Sequence, residues 1–181
     1  MLTSLGHKKQ YMNTLLRNII CAAAITVGLG GCTSNDCPLN NTVRLICGFY
    51  YSSDPSASLS ISDTLTIAVR DSIILNRTTN TSTVSLPMSY SGLNDSLVFR
   101  YTPMGSDSSS CDTLIVSKTN EPHVISLECG TGVFHTITAT TCTSHTPNTT
   151  FRYAIDSVVI SKPNVNFDGQ ENLKIYFSVA E

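Results

Sequence analysis

The chain has 181 residues, of which 11 are Lys or Arg and 13 are Asp or Glu, and its formal net charge is −2. Charged residues make up only 13% of it, and the basic ones are scattered after the first 20 positions. Binding to nucleic acid therefore has no electrostatic support, and we expect no nucleic-acid partner.

The first 31 residues have the three parts of an export signal peptide. A basic start precedes the apolar segment 18–29, which is shorter than the roughly 20 residues of a membrane-spanning helix. The small residues Gly30 and Gly31 then precede Cys32. The sequence Leu29-Gly30-Gly31-Cys32 resembles the bacterial lipobox, in which the cysteine thiol takes a diacylglycerol and becomes the first residue of the mature chain.

We therefore expect residues 1–31 to be a cleaved lipoprotein signal peptide and Cys32 to be lipidated, with the lipid bilayer as its partner. Several acyl chains hold a protein essentially permanently, whereas one chain binds only marginally, at about 0.8 kcal/mol per buried CH₂. An ordinary secretory signal with a chance cysteine is the alternative.

Cleavage would leave 150 residues, enough for one domain with a hydrophobic core. Residues 32–41 are polar and we expect them to form a tether, followed by a folded domain over residues 42–181. Three of the basic residues lie in the signal peptide, so the mature chain has a net charge of about −5.

Five cysteines follow Cys32, and outside the cytoplasm such residues tend to pair. They are Cys37, Cys47, Cys111, Cys129 and Cys142. Up to two disulfides can form, and the odd number leaves at least one thiol unpaired or paired with another chain. The spacing does not give the connectivity. A bond between Cys37 and Cys129, our preferred pair, would join the tether to the domain.

From Thr42 onward apolar residues recur at every second position, which is the period of a β-strand. Pro87 places the strand over residues 84–90 at a sheet edge or a bulge. The sets that we expect to share one face are, in chain order, Leu65/Ile67/Val69, Val84/Leu86/Met88/Tyr90, Leu97/Phe99/Tyr101, Leu114/Val116, Val133/His135/Ile137/Ala139, Ile155/Val159 and Leu173/Ile175/Phe177/Val179.

Turn-forming residues separate these runs, among them residues 54–55, 71–72, 92–95, 120–122 and 163–169. No amphipathic helical pattern follows residue 32. The sequence thus predicts an all-β domain, a single antiparallel immunoglobulin-like β-sandwich of about eight to ten strands. A small closed barrel is the alternative, and the strands are too short for an outer-membrane barrel.

Eight segments of the mature chain share a recognisable pattern: Asp36-Cys37-Pro38-Leu39-Asn40-Asn41-Thr42-Val43, Ser85-Leu86-Pro87-Met88-Ser89-Tyr90, and residues 63–67, 116–123, 128–130, 134–138, 155–160 and 163–166. These segments resemble a family of short Bacteroidota outer-membrane lipoproteins catalogued as a domain of unknown function. Cys37 and Cys129 fit the pattern of the family. The resemblance implies an outer-membrane β-barrel protein as a partner and an accessory role in the complex that assembles outer-membrane proteins.

The triplet Asp-Ser/Thr-apolar occurs five times and resembles the acceptor for O-glycosylation of exported proteins in the same bacteria. The hydroxyl residues are Thr64, Ser72, Ser96, Thr113 and Ser157. A sugar there would add bulk and solubility at the surface. Alternatively, the Asp closes a turn and the Ser or Thr begins the next strand.

Residues 164–169 have the opening spacing of a calcium loop, but Ile175 stands where the closing Glu is needed, so we expect a turn. His123, Cys129 and His135 lack the close pairs of a zinc site. Neither a nucleophile motif nor a phosphate loop is present. We expect no catalytic centre, metal or cofactor.

Consecutive aromatic residues at Phe49, Tyr50 and Tyr51 must point to both faces of a strand, so one of Phe49 and Tyr50 faces outward. Packing by a loop or contact with a partner both account for it. The sequence therefore predicts a non-catalytic lipoprotein that binds a protein partner. The sequence fits a position on either the periplasmic or the cell-surface side of the outer membrane. The alternative function is that of a surface module that binds glycans or other ligands.

Lipidation of Cys32 is directly testable. Radiolabelled palmitate fed to expressing cells should enter the wild-type chain, because the lipobox cysteine is the acceptor. The variant Cys32→Ala should incorporate none and should appear in the soluble fraction. Label in the variant, or a wild-type chain that stays soluble and unlabelled, would contradict the assignment.

Overall fold

The computed structural model describes residues 42–70, 72–126 and 130–180. The predicted signal peptide and tether lie outside these residues, as do Cys32, Cys37 and Cys129, so their predicted roles stay predictions. Among the described residues, no helix is long and apolar enough to cross a membrane.

The described residues form ten strands and no helix. The strands are β1 (Arg44–Tyr51), β2 (Thr64–Val69), β3 (Ser72–Thr78), β4 (Thr83–Pro87), β5 (Asn94–Thr102), β6 (Ser110–Ser126), β7 (Gly130–Thr143), β8 (Tyr153–Ile160), β9 (Asn164–Val165) and β10 (Leu173–Val179). One sheet has the order β4-β1-β10-β8 and the other the order β3-β2-β5-β6-β7-β9. The predicted all-β sandwich is confirmed.

All strand pairs are antiparallel except one, because β1 runs parallel to β10 with Cys47 beside Leu173 and Tyr51 beside Phe177. The prediction of an antiparallel sandwich therefore holds apart from this pair. The immunoglobulin-like outline stays a prediction.

The core lies between the two sheets and excludes water from both inner faces. Phe49 on β1 contacts Phe99 on β5 with ring centroids 6.4 Å apart, and Tyr101 on β5 contacts Phe177 on β10 at 6.2 Å. These four side chains are at most 1% exposed. Each large apolar side chain buried in this way contributes about 1.5–3 kcal/mol, which makes the period-two pattern the main source of stability.

Two prolines lie where a missing N–H costs little. β4, which ends at Pro87, pairs only with β1 and is a sheet edge, as predicted. Pro122 contradicts the predicted turn over residues 120–122, because it lies inside β6 and is paired with Val133. β5 pairs with β6 only as far as Ser117, so Pro122 faces no neighbouring strand on its other side.

Two β-bulges overturn predicted faces, because an extra residue shifts every following side chain to the opposite face. Ser117 pairs with Ala139 and Lys118 with Ile137, so Ala139 is exposed instead of joining the buried Ile137. A second shift separates Ile155, which is buried, from Val159, which is 49% exposed.

The ends of the sandwich differ in what they carry. We call proximal the end with Thr42, the loop over residues 88–93, and the stretch where β6 and β7 pair from Pro122–Val133 to Ser126–Gly130. The distal end carries the loop over residues 103–109 and the segment 144–152. Both ends are positioned by the registers of β1, β5 and β6.

Candidate functional site

The chain joins the sandwich at the proximal end. Thr42 forms an isolated parallel bridge with Val133 on β7, and its Oγ1 lies 2.5 Å from the hydroxyl of Tyr90. Tyr90 belongs to the loop between β4 and β5. The first described residue is therefore held by both the hairpin and this loop.

A buried lysine fixes the same loop. The side chain of Lys118 is fully buried, and its Nζ donates to the carbonyl oxygens of Ser89 at 2.5 Å and Gly92 at 2.7 Å, and to Oδ1 of Asn120 at 2.7 Å. Oδ2 of Asp95 lies 3.6 Å from Nζ and accepts the N–H of Ser89 at 3.1 Å. Burial lowers the pKa of Lys118, and the Asp95 carboxylate opposes that shift.

His135 completes this group from the neighbouring strand. Its Nδ1 lies 2.7 Å from Oδ1 of Asn120, an atom that can only accept, so Nδ1 carries the proton. The buried Nε2 has no hydrogen-bond partner among the described residues. Burial and the nearby Lys118 ammonium lower the pKa of His135 to about 4, against a smaller opposing effect of Asp95. His135 is therefore neutral at pH 7 and orients Asn120.

These four residues, Asp95, Lys118, Asn120 and His135, direct their polar groups at one another and at loop carbonyls. The cluster holds the loop against the hairpin. It was not predicted as a unit. The signal in the sequence was that Lys118 continues the every-second-residue pattern of the buried Leu114 and Val116. A charged group on a buried face needs hydrogen-bond partners or an opposite charge nearby.

A second polar group lies at the distal end around Asp112, which is 1% exposed. Its Oδ1 accepts the backbone N–H of His145 at 2.8 Å and lies 2.7 Å from the Nδ1 of that residue, while Oδ2 accepts the N–H of Ile155 at 2.8 Å. Burial and the Asp112 charge raise the pKa of the Tyr101 hydroxyl well above its ordinary value. Asp112 thus fastens the segment after β7 to β6.

Aromatic residues form a pair on the outer face of the four-stranded sheet. The rings of Tyr50 and Tyr176 lie 5.8 Å apart, and the ammonium of Lys174 lies 5.1 Å from the Tyr50 ring centroid. The Tyr50 hydroxyl donates to Glu171 Oε2 at 2.9 Å, and this bond is the main cause of the raised pKa of Tyr50. A Cβ on Gly48 would lie 1.9 Å from Glu171 Oε2, so glycine makes room for the carboxylate. One of Phe49 and Tyr50 was predicted to face outward, and the structure shows that it is Tyr50, while Phe49 faces inward.

The glycosylation triplets occupy unlike positions. Thr64 and Ser72 begin strands and Ser96 is third in β5, but Thr113 and Ser157 lie well inside β6 and β8, against the expectation that all begin strands. Three of the acidic residues, Asp63, Asp95 and Asp112, are buried. Both members are exposed at Asp156-Ser157. Modification of any triplet stays a prediction.

Residues 166–169 form a turn between β9 and β10, as predicted, whereas Asn164 and Val165 form β9 itself. The N–H of Asp168 donates to Asn166 Oδ1, Asp168 pairs with Lys162, and Gly169 has a φ of 68°. Its oxygens therefore serve the turn itself. His123 stacks on Phe134 on the outer face of the hairpin, whereas His135 points inward, so they do not converge.

No cluster of three or more potential metal ligands from His, Cys, Asp or Glu occurs among residues 42–70, 72–126 and 130–180. Within the same ranges Cys47, Cys111 and Cys142 form no disulfide. Cys47 is buried, and desolvation raises the pKa of its thiol.

The lowered pKa of His135 predicts a pH-dependent stability. The unfolded chain, with a histidine pKa of 6.5, binds the proton more tightly than the folded chain. Above pH 6.5 the folded chain keeps the full free energy of unfolding that depends on a neutral His135. As the pH falls from 6.5 toward 4, protonation of this residue in the unfolded chain lowers the free energy of unfolding, by about 2 kcal/mol between pH 7 and 5.

Urea unfolding at both pH values measures this loss. His135→Gln should show a smaller decline than the wild type, while His123→Gln, which removes an exposed histidine, should follow the wild type. An identical decline in all three proteins would contradict the assignment.

Comparison with known proteins identifies a family. A family profile described as "Family of unknown function (DUF6452)" matches residues 58–177, about two thirds of the chain. Neither the curated proteins nor the solved structures give a significant match. The expected membership in a family of unknown function is confirmed, while its lipoprotein and Bacteroidota parts stay predictions. The chain belongs to the DUF6452 family.

Proposed function

We propose that this protein is a non-catalytic outer-membrane lipoprotein of a Bacteroidota bacterium that docks on an outer-membrane β-barrel protein. In this proposal, its proximal end forms the docking surface. The complex that assembles outer-membrane proteins is the setting that the family resemblance implies.

The observation that carries the proposal is where Thr42 joins the domain. Thr42 follows Cys32 by ten positions, and a fully extended chain spans at most about 3.3–3.6 Å per residue. A lipidated Cys32 therefore keeps the proximal end within roughly 35 Å of the bilayer, where a membrane-embedded partner is accessible.

The proximal end also exposes large apolar side chains. Tyr90 is 51% exposed, Leu93 62% and Val124 67%. Tyr90 and Leu93 lie in the loop held by Lys118, and Val124 lies near the tip of the hairpin. Such side chains on a rigid support suit a protein interface, because little conformational entropy is lost on binding. The loop over residues 88–93 and the β6–β7 hairpin, which carry these side chains, are joined by the buried cluster around Lys118.

Affinity purification of the tagged full-length protein in mild detergent, followed by mass spectrometry, tests the proposal. We expect an outer-membrane β-barrel protein to co-purify. The double variant Leu93→Asp/Val124→Asp should reduce its recovery about tenfold or more, since charges in an interface core are strongly unfavourable. The matched control is Met104→Asp/Val159→Asp, whose parent residues are 77% and 49% exposed outside the proximal end.

Recovery of the lipoprotein alone would count against a barrel partner. Equal losses in the two double variants would count against the proximal end as the docking surface. Circular dichroism of each variant shows that it retains its sheet content.

A second candidate function, binding of glycans at the cell surface, is favoured by the Tyr50–Tyr176 pair. Aromatic rings pack against the C–H faces of sugars, and Glu171 and Lys174 supply polar groups beside them. A glycan array should then give signals that Tyr50→Ala/Tyr176→Ala abolishes. An array that stays blank with the folded wild-type protein would refute it.

A further inference from the structure

A hollow of about 340 Å³ opens on the outer face of the six-stranded sheet, where β3, β2 and β5 lie side by side. It is lined by Thr66, Ala68, Ile73, Asn76, Arg77, Arg100 and Thr102. No acidic side chain among the described residues lines it, although the mature chain as a whole is acidic.

A β-bulge builds one wall of the hollow. Leu65 pairs with Thr78 and Ile67 with Leu75, so Asn76 and Arg77 together stand opposite Thr66. A bulge of this kind re-aims side chains, and bulges are common beside functional sites. The backbone N–H of Arg77 donates to Thr66 Oγ1 at 3.3 Å. The Thr66 hydroxyl proton therefore remains available to a ligand.

Arg77 holds an unusual backbone conformation, with a φ of 47°. Residues other than glycine seldom adopt positive φ, and those that do cost stability and gather at functional sites. A glycine would accept this conformation without strain.

Arg100 builds the opposite wall. It pairs directly with Thr66 on the β5 side, so Thr66 stands between the two arginines. Neighbouring strands lie about 4.8 Å apart, which places β3 and β5 about 10 Å from each other. Two long side chains can bridge that distance from both sides. Ala68, one row along, leaves the space between them unfilled.

Neither guanidinium is neutralised by the described residues. No ion pair or side-chain hydrogen bond of Arg77 or Arg100 occurs within the described part of the chain, and both residues are exposed. By contrast, Arg44 donates to Ser85 and Lys162 pairs with Asp168. Two unpaired positive charges thus flank one concave surface.

We propose that this hollow binds the phosphate group of a ligand. Each guanidinium presents a fork of N–H donors that matches phosphate oxygens, and Thr66, Thr102 and Asn76 add hydroxyl and amide donors. Donors arranged on two sides suit a tetrahedral oxyanion better than the two oxygens of a planar carboxylate. The source of the phosphate is either a lipid headgroup or a soluble phosphate ester.

Equilibrium dialysis of the full-length protein in detergent micelles against radiolabelled inorganic phosphate, at constant ionic strength, tests the site. Arg77→Gln/Arg100→Gln should weaken binding about tenfold or more, since it removes both charge-assisted contacts. Arg44→Gln/Arg70→Gln, which removes the same charge outside the hollow, should change binding less than about twofold. Absent binding by the wild type, or equal losses in both variants, would overturn the proposal.

Arg77→Gly separates binding from folding. Glycine relieves the positive φ, so this variant should melt at the same temperature as the wild type or higher, while it binds phosphate more weakly. Unchanged phosphate binding by this variant would overturn the role of Arg77.

Phosphatidic acid added to the micelles distinguishes the two sources. Competition with inorganic phosphate in the wild type supports a lipid headgroup as the ligand. Phosphate binding that resists this lipid supports a soluble ester. Because neither measurement needs a protein partner, failure here leaves the proposed docking at the proximal end untouched.

Discussion

A buried ammonium group must be surrounded by oxygen atoms, and this requirement organises the proximal end of the sandwich. Lys118 obtains its oxygens from the loop over residues 88–93, from Asn120 and from Asp95. The loop is therefore bound to the β6–β7 hairpin by a charge that has no alternative partner inside the core. Asn120 is in turn oriented by His135, which burial and the nearby ammonium keep neutral.

Buried polar groups hold loops at both ends of the sandwich. The Lys118 ammonium binds the loop over residues 88–93, and the Asp112 carboxylate binds the segment after β7. The proximal end offers apolar side chains beside the point where the chain joins the sheet. Apolar side chains on a loop that is held in place support the proposed docking surface.

Irregularities in the sheets decide which side chains face outward at several positions. The bulge at Asn76 and Arg77 directs a second arginine onto the face that carries Arg100, and it does so at the expense of a positive φ. The extra residue near Ala139 and the shift in β8 likewise exchange inner and outer positions. A flat sheet with unbroken alternation would have neither the hollow beside Thr66 nor the exposed Val159.

The sequence by itself determined the fold class and the inner faces of the regular strands. Apolar residues at every second position lie on the same face of a strand, and the hydrophobic effect buries that face. Leu97, Phe99 and Tyr101 on one strand, and Leu173, Ile175 and Phe177 on another, are buried as expected. Pro87 likewise marked its edge. Only the tertiary structure decided the faces of Ala139 and Val159, the strand that passes through Pro122, and the meeting of Lys118 with its loop. Bulges, strand neighbours and hydrogen bonds between distant segments depend on which strands lie side by side, and spacing along the chain does not encode that.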